Sequence, residues 1–484
     1  MKYLLKATYV FIVAVFFIQC SKEFVLSENL VVKDFVWKGL NAYYLHQDKI
    51  ADLADRRFNS DLELNTYLTS FPDYTTLFYS LLTAEDIKSS LLEDYSDLDI
   101  ILPRTGFLNG MEFGIIEAPG STENVIGYVT HILPNSDAYS KNIMRGDFFN
   151  AANGTQLTKE NFESILINGS NSLSLTMVDF DGTIATPNSK IVALEKQNYA
   201  YDTVFLEKTF AIGVDKIAYL MFNNDLSKES INSLNEVFLK FKNQGVNELV
   251  LDLRYNISGG SFAQNITDLA SMITGQFTDE VFIKEQWNAK AQAWFEANQP
   301  DSLLTKFPVK LNAFSDYNSL NLTTVYIILN GTNFSGASAI ELLINSLNPY
   351  IDVQIIGTKT AGNNTGAMTL YNSEDYDFPL RNETHTVALQ PIVLSFFNKD
   401  DQTYENGFIP DIILCPNEDI LDLGVLGDSS EPILERVLEA ITSGSTGTSA
   451  ACNSNNYTFL YNSINAQRAF DSGNFIKQNL PNTN

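Results

Sequence analysis

Helical periodicity dominates the start of the chain, over residues 29–97. Two short apolar stripes, within residues 62–68 and 77–82, follow a longer one. Ser60-Asp61 and Asp73 precede the short stripes and are predicted to cap helices. The pattern predicts a helical N-terminal domain over residues 21–100, to which we assign no chemistry. The longer stripe has the three- and four-residue spacing of one helix face: Val32, Phe35, Val36, Leu40, Tyr43 and Tyr44.

Strand patterns replace the helical ones in residues 101–185. Residues 125–133 form an apolar, β-branched run that is typical of a strand. Asn153-Gly154 is a tight-turn dipeptide. A short helix around residues 159–167 and a strand over 172–178 are expected after it. We therefore predict a separate β domain over residues 101–185.

Strands and helices alternate in residues 186–441. This alternation favours a parallel sheet with helical crossovers. Gly245 is placed to end the first of the predicted helices. The predicted fold class is α/β, in an α+β multidomain chain with a helical cap, a β domain and a core built on a parallel or mixed sheet. Core strands are predicted at 217–222, 249–254, 325–330 and 351–356, and helices at 230–243 and 339–347.

Residues 442–484 have a different composition from the core. Residues 443–449 read SGSTGTS, which is typical of a flexible linker. The apolar residues within 459–475 favour a short helix. We predict a low-complexity linker and tail here and assign it no function.

The first twenty residues have the pattern of an export signal. Lys2 and Lys6 precede an apolar run over residues 7–18, which is too short to span a bilayer but fits a secretory signal. Cys20 follows, where a bacterial lipoprotein takes its lipid after cleavage. Residues 1–20 are therefore predicted to be a lipoprotein signal peptide. The mature chain is expected to be exported and lipid-anchored in the bacterial cell envelope, facing the periplasm or the surface. A plain secretory signal with an incidental cysteine is the alternative.

Charge and composition narrow the classes of partner. The 484 residues include 31 Lys and Arg against 58 Asp and Glu, a net charge of −27, which argues against binding nucleic acid through its phosphates. The histidines and cysteines are scattered, with no metal-binding pair and no phosphate-binding loop. We therefore expect no metal and no cofactor. After export, Cys415 and Cys452 could pair in an oxidising compartment; two free buried thiols are the alternative.

A run between Pro134 and Gly154 resembles a PDZ domain. It follows the pattern P-x-S-x-A, M-R-G-D-x-F and N-G. PDZ domains capture a peptide C-terminus by adding it as a strand beside a loop of free backbone N–H groups. The alternative is a degenerate domain that only packs against its neighbour. The resemblance implies a PDZ-like domain over 101–185 and places the peptide-binding loop at Phe113, Gly114, Ile115 and Ile116.

Two loops lie at the carboxyl ends of predicted strands, where open α/β sheets place their sites. The first contains Gly259-Gly260, and paired glycines let backbone N–H groups face a ligand. In the second, Ser338 lies between a strand and a helix start. The helix dipole and the N–H of Ala339 could stabilise an oxyanion there. On the residues alone, Ser335 or Ser338 could equally be a helix cap.

Five motifs in one order resemble the C-terminal processing peptidases, also called tail-specific proteases. They are the PDZ-like run, L-D-L-R-x-N-x-x-G-G over 251–260, S-x-x-S-A-x-E over 335–341, and the runs 357–362 and 407–411. The resemblance covers residues 30–440 and implies a serine-peptidase core over 186–441. It places the nucleophile at Ser338. It implies oxyanion donors at Ala339 and at either Gly259 or Gly260, and no cofactor.

The resemblance fails at the general base. The family uses a lysine 25 residues after the serine, and that position holds Asn363; a glutamine that orients the lysine in many members corresponds to Ala367. A serine hydroxyl is a weak nucleophile until a base takes its proton, and asparagine cannot. Lys359 is the possible substitute, although four residues of extended chain span about 13 Å. His385 is the other conceivable base, but nothing in the sequence places it near Ser338.

Two functions therefore remain open. The first is an exported serine endopeptidase, a hydrolase that cleaves proteins near extended C-termini with Ser338 as nucleophile and Lys359 or another group as base. The second is a catalytically impaired homologue, a pseudoenzyme that binds such segments as a surface lipoprotein. In both, the partners are proteins or peptides with extended C-termini and, through Cys20, a membrane. A glycan-binding lipoprotein is a third possibility that no motif supports.

Overall fold

The computed structural model describes residues 28–96, 105–200, 202–223, 226–256, 263–329, 338–444, 457–464 and 474–475. The predicted signal peptide with Cys20 and the candidate oxyanion residues Gly259 and Gly260 lie outside these ranges. No helix in the described part of the chain combines the length and the apolar character that crossing a membrane requires.

The described part of the N-terminal domain contains three α-helices, α1 (Glu28–Tyr43), α2 (Asp61–Thr69) and α3 (Tyr74–Ser80), and two short 3-10 helices between the first two. The predicted caps are confirmed. The Ser60 hydroxyl accepts the amide of Glu63 at 3.3 Å, and the Asp73 carboxylate accepts that of Thr76 at 2.6 Å. The apolar faces of these helices belong to the same hydrophobic cluster as the α/β core. The domain is thus packed onto the core and can contribute side chains to a site there.

The middle domain, residues 105–200, is built mainly of antiparallel strands. They form a sheet with the order β22-β3-β4-β5-β7-β8, in which β6 pairs with β5. The bounds are β2 (Thr105–Leu108), β3 (Met111–Glu117), β4 (Val125–Ile132), α4 (Asp137–Ser140), β5 (Phe148–Ala152), β6 (Thr155–Gln156), the π-helical segment Glu163–Ile167, β7 (Ser172–Phe180), β8 (Ala185–Glu195), β9 (Gln197–Ala200) and β22 (Phe459–Asn462).

Two expectations for this domain differ from the structure. Strand β8 pairs with β7 along most of its length, so the domain continues past residue 185, where its end was predicted. Residues 113–116 (Phe113, Gly114, Ile115 and Ile116) were predicted to be a loop with free N–H groups, but they lie inside β3 and pair with β4. The apolar run reads as a buried strand, and Gly114 lies under the ring of Tyr128, where an added Cβ would come within 2.3 Å. The loop prediction was therefore wrong.

The core sheet has the order β10-β11-β12-β15-β16-β21. Its first pair is antiparallel and the others are parallel, so the predicted mixed sheet is confirmed. The strands are β10 (Leu206–Ile212), β11 (Asp215–Met221), β12 (Glu248–Asp252), β15 (Thr324–Leu329), β16 (Asp352–Gly357) and β21 (Ile412–Ile413).

Alternate residues of these strands face two different hydrophobic layers. Leu249 and Leu251 point into the cluster that contains the N-terminal helices, whereas Val250 between them joins a second cluster on the opposite face. The first layer includes α5, α6, α7 and α8, and the second includes α9. Gly245 ends α5 in the left-handed conformation, as predicted. The helices are α5 (Lys228–Gln244), α6 (Ala263–Ile273), α7 (Ala289–Asn298), α8 (Ser338–Leu347) and α9 (Pro432–Ser443).

Two smaller sheets lie beside the core. One has the order β14-β13-β20-β17-β23 and the other β1-β19-β18. The bounds are β1 (Ser90–Leu92), β13 (Val281–Trp287), β14 (Leu304–Lys306), β17 (Thr365–Ala367), β18 (Leu370–Tyr371), β19 (Ala388–Gln390), β20 (Ile392–Phe397) and β23 (Asn474–Phe475).

The end of the chain contains two short strands and, between them, two helical residues. Residues Phe459–Asn462 pair antiparallel with β3, and Asn474–Phe475 pair parallel with β17. The prediction of a short helix within 459–475 was therefore wrong for 459–462 and 474–475, whereas Ser463 and Ile464 are helical. Cys415 is disulfide-bonded, and the two other cysteines of the chain lie outside the described residues.

Candidate active site

Ser338 begins helix α8, at the carboxyl side of core strand β15. This is the position that the strand–helix alternation predicted for it. Ser338 is only 1% exposed, and Ala339 behind it is completely buried. Within the described part of the chain, the Ser338 hydroxyl has no hydrogen-bond partner. A buried hydroxyl at a helix N-terminus that makes no capping bond within this part is available for another partner.

Glu341 fixes the segment that holds the family's base position against this helix. Its carboxylate is completely buried and accepts the amides of Gly362 and Asn363, each at 2.7 Å. Burial raises the pKa of Glu341, against the opposing effects of its hydrogen bonds and of Lys88. Because Glu341 lies one helical turn after Ser338, these two bonds bring the backbone of residue 363 to the same end of α8.

Two glycines allow this segment to approach so closely. Gly362 has φ +84°, and an added Cβ would lie 2.2 Å from the carbonyl oxygen of Glu405. Gly407 has φ +69°, and its Cβ would lie 2.0 Å from the carbonyl oxygen of Thr360. The two segments are also joined by a hydrogen bond, in which the amide of Phe408 donates to the Thr360 hydroxyl at 2.8 Å. The motif runs 357–362 and 407–411 therefore shape one structural unit around Glu341.

Two further polar groups near Glu341 are buried without a partner. The side-chain oxygen of Asn363 has no hydrogen bond in the described residues, and neither has the Tyr404 hydroxyl. Burial, reinforced by the charge of Glu341, raises the pKa of Tyr404 well above its usual value. A buried, unsatisfied polar atom costs about 1–3 kcal/mol. With the Ser338 hydroxyl, three buried polar atoms in this region lack a hydrogen-bond partner in the described residues.

A lysine that the sequence analysis did not single out lies at this site. Lys88 comes from the N-terminal domain, and its ammonium group is 3.4 Å from the hydroxyl of Thr365 in β17. Burial lowers the pKa of Lys88, although Glu341 and Asp86 oppose the shift. Nothing in the local sequence around Lys88 marks it. The only available signal was the missing lysine at residue 363, which calls for a base from elsewhere.

The two bases considered from the sequence are placed differently. Lys359 is exposed, whereas Ser338 is buried. His385 hydrogen-bonds Asn372 at 2.9 Å through one ring nitrogen and accepts the amide of Val387 through the other. Both imidazole nitrogens of His385 are thus engaged within its own loop. Ala367, at the family's glutamine position, is completely buried in β17.

The aspartate and arginine of the L-D-L-R motif form a buried ion-pair network, away from the reacting groups. Arg254 contacts Asp252 at 2.7 Å, Glu431 at 2.7 Å and Glu418 at 3.0 Å. Arg145 of the middle domain contacts the same Glu418 at 2.6 Å. Burial alone would raise the pKa of Glu418, but the two arginines lower it to about 2. The network joins the middle domain to the end of β12, directly before the glycine loop.

Other parts of the candidate site are only partly defined. Gly259 and Gly260 lie outside the described residues, so their part in an oxyanion hole stays a prediction. Ala339 lies in the first turn of α8, where an amide has no partner within the helix. Across the described ranges, no three His, Cys, Asp or Glu side chains are grouped as metal ligands.

Two family models match parts of this chain. A model of peptidase family S41 matches residues 216–414, and a model of the peptidase S41 N-terminal domain matches residues 31–96. Together the two models cover more than half of the chain, including Lys88, Ser338 and Asn363. No curated protein sequence matches the chain significantly.

Solved structures are also similar to this chain, and the first of them shows the same fold. A Bacteroides fragilis NCTC 9343 protein, provisionally assigned as an S41 protease, is similar with a TM-score of 0.64 and 19% identity, over 85% of this chain and 97% of that one. The photosystem II D1 C-terminal processing protease gives a TM-score of 0.48 and 16% identity, over 84% and 100% of the two chains. The motifs, the fold and the two family models together show that the chain belongs to peptidase family S41.

Proposed function

We propose that this chain is an exported serine endopeptidase that cleaves proteins near extended C-terminal segments, with Ser338 as nucleophile and Lys88 as general base. The observation that carries the proposal is the half-buried Lys88 amine, which lies beside β17 where the family's lysine is missing. In this proposal Lys88, and not Lys359 as the sequence analysis suggested, is the substitute for the missing general base.

The alternation of side chains along an extended strand explains how Lys88 could replace the missing lysine. Asn363 lies in a tight turn just before β17, where the amide of Asn364 donates to the carbonyl of Gly362 at 3.1 Å. Thr365 and Ala367 are two apart within β17, so their side chains point to one side of the strand. Residues 363 and 367 are the positions of the family's lysine and glutamine, and Asn363 and Ala367 are both shorter. Thr365 lies between them, and its hydroxyl is the one that Lys88 approaches. The amine thus lies on the face of β17 that carries Ala367, two residues along the chain from the family's lysine position.

The proposed reaction follows from these groups. The neutral amine of Lys88 takes the proton of the Ser338 hydroxyl while the oxygen forms a bond to the substrate carbonyl carbon. The amide of Ala339, with Gly259 or Gly260, would hold the negative carbonyl oxygen. The resulting ammonium then donates its proton to the leaving amine as the peptide bond breaks. A water molecule releases the acyl group by the same steps.

The proposal assigns the binding of extended substrates to the middle domain. We propose a PDZ-like role for it, in which a protein segment adds as a strand to β3. Export and a lipid anchor on Cys20 remain our proposals from the N-terminal sequence. They would place the enzyme in the cell envelope with protein substrates of that compartment.

A specific observation favours a second candidate, a binding protein without peptidase activity. Asn363 occupies the family's base position, its side-chain oxygen is unpartnered in the described residues, and an amide accepts no proton at working pH. If Lys88 does not serve, the chain would hold extended segments without cutting them.

Proteolysis of an unfolded model protein distinguishes the two functions. A soluble chain beginning at Ser21 is compared with its Ser338→Ala variant, and both are treated with a fluorophosphonate probe. We expect the first chain to cut and to be labelled, and the variant to do neither. Unfolded substrate that both chains bind and neither cuts would instead establish the binding protein.

A further inference from the structure

The C-terminal segment Tyr457 to Ile464 adds a strand to the free edge of β3. Phe459 pairs with Ile116, Tyr461 with Ile115 and Asn462 with Gly114, all antiparallel. The amide of Glu117 extends the pairing by donating to the carbonyl of residue 458 at 2.9 Å. These are the residues to which the sequence analysis assigned peptide binding. An antiparallel strand at that edge has the geometry of strand addition.

Because of a bulge, side chains of this strand contact both faces of the middle-domain sheet. The register shifts between Phe459 and Tyr461, so these two side chains fall on opposite faces although they are two residues apart. Phe459 packs edge-on against Tyr128 at 6.1 Å, within one cluster. Tyr461 lies 5.5 Å from the ring of Phe113 and 6.0 Å from that of Phe162, within another.

Polar contacts fix the position of the segment along the edge. The Ser463 hydroxyl donates to the Glu112 carboxylate at 2.5 Å and accepts the amide of Phe113 at 3.0 Å. The Tyr457 hydroxyl donates to the carbonyl of Gly182 at 3.0 Å. Ser463 is buried among these partners. The segment is therefore held in one register by backbone, aromatic and polar contacts together.

The middle domain is complete without this segment. All fully buried residues of its main cluster come from between Met111 and Leu194, and Tyr461 packs against that cluster from outside. Strand β3 pairs with β4 along its other edge through residues of the middle domain alone. Of the segment's apolar side chains, only that of Ile464 is buried, in a cluster of the core. The segment thus lies on a surface whose hydrophobic core is formed without it.

We infer that residues 457–464 are an intramolecular ligand of the β3 edge, occupying the site that an extended protein segment must take. The binding surface accepts strands with aromatic residues two apart on either side of a bulge. That the displaced competitor is a substrate rests on the proposed function; the binding itself does not. The second tail strand, β23, pairs with Gly366 and Ala367 of β17, so the same tail also reaches the strand beside the candidate catalytic groups.

Tethering makes the tail a strong competitor. A flexibly linked ligand has an effective concentration in the millimolar range. A peptide that binds the free edge with a Kd of tens of micromolar would then bind the intact chain roughly 10- to 100-fold more weakly. Release of the tail should raise both peptide binding and the rate of proteolysis.

The test uses a fluorescent peptide with the sequence of residues 457–464 (YTFLYNSI) and measures its anisotropy with the full mature chain. Tyr461→Ala removes the contact with two rings, whereas Leu460→Ala, at the exposed bulge position of the same strand, is the matched control. We expect Tyr461→Ala to bind the peptide at least 10-fold more tightly than the unchanged chain, Leu460→Ala to bind it like the unchanged chain, and a scrambled peptide to bind none of them. A chain ending at Asn456, checked for cooperative unfolding, should bind most tightly.

Two results would overturn the inference. A folded Tyr461→Ala chain that binds the peptide no more tightly than the unchanged chain shows that the tail does not block the edge. A chain that unfolds when cut after Asn456, together with that result, shows that β22 is an integral strand. Because binding is measured, either outcome is independent of Ser338 and Lys88; the same assay in a Ser338→Ala chain separates loss of catalysis from loss of the binding site.

Discussion

Replacing Lys88 by methionine tests the proposed base. Methionine keeps an unbranched side chain of similar length and removes the amine. A positioned general base contributes about 10²- to 10⁴-fold to the rate, so we expect kcat/KM for an unfolded substrate to fall by that factor. Lys38→Met is the matched control, because Lys38 is an exposed lysine of the same domain, paired only with Asp34 one turn away.

The pH dependence of the reaction gives a readout that a structural role would not change. Burial lowers the pKa of Lys88 below its usual 10.5, so the neutral, active amine forms at lower pH than in an exposed lysine. The rate should rise with pH through this lowered pKa, and the rise should vanish in Lys88→Met. Stability should also rise with pH, because the unfolded state binds the Lys88 proton more tightly than the folded state does. The folded state disfavours the charged amine at neutral pH, so the variant should lose little or no stability there.

A second substitution completes the argument. Asn363→Lys restores an amine at the family's position. When it is added to the Lys88→Met chain, we expect it to raise kcat/KM at least tenfold above that of Lys88→Met alone. Asn363→Leu in the same background is the control, because it removes the amide and adds no base. The rates are followed by cleavage of a fluorogenic unfolded protein. If Lys88→Met cleaves at the unchanged rate while Ser338→Ala is inactive, the base lies elsewhere and our reasoning from β17 is refuted.

Three further predictions concern stability, measured by denaturant unfolding. Arg254→Met should cost about 3–5 kcal/mol, because it leaves buried carboxylates unpaired, whereas loss of the exposed pair in Lys240→Met should cost at most about 1 kcal/mol. Gly362→Ala should cost more than Gly120→Ala. Both residues have positive φ, worth about 1–2 kcal/mol, but only the first added Cβ meets another atom. Since the pKa of Glu418 is lowered from 4.5 to about 2, its stabilising effect is present above pH 4.5 and is lost as the pH falls towards 2. The difference in unfolding free energy between the unchanged chain and Glu418→Gln should therefore disappear over that range. A difference that stays constant with pH would contradict the assignment.

Local patterns in the sequence predicted much of the fold. The caps at Ser60 and Asp73, the end of α5 at Gly245 and the order of core strands and helices each depend on a few neighbouring residues, and the structure has them. The same holds for Ser338, because a strand followed by a helix start fixes where its side chain lies. The resemblance added that residue 363 approaches this serine; the structure shows that the amide of Asn363 bonds Glu341, one helical turn after Ser338.

Pairing between distant segments could not be predicted in this way. Strand β22 is four residues long, and its partner β3 lies more than three hundred residues earlier. No periodicity in Phe459–Asn462 indicates that partner, and apolar residues near the end of a chain fit a short helix as well as a strand. The loop predicted at 113–116 was wrong for a related reason. The run was interpreted from its place in the PDZ-like order, whereas its own apolar residues favour the strand that the structure shows.

Lys88 shows why the candidate site needed the structure. A catalytic side chain can come from any segment that packing brings near, and the N-terminal helices share a hydrophobic cluster with the core. The sequence shows only the loss at residue 363, where Asn363 now leaves a buried oxygen unpartnered in the described residues, as do Ser338 and Tyr404. Three such atoms near one buried carboxylate weaken the fold by roughly 1–3 kcal/mol each unless something binds them. An inert core would be more stable with apolar groups in their place, so their arrangement around Glu341 is best explained by a partner that enters the site and satisfies them. In our inference, the tail on β3 and β17 controls when that partner can enter.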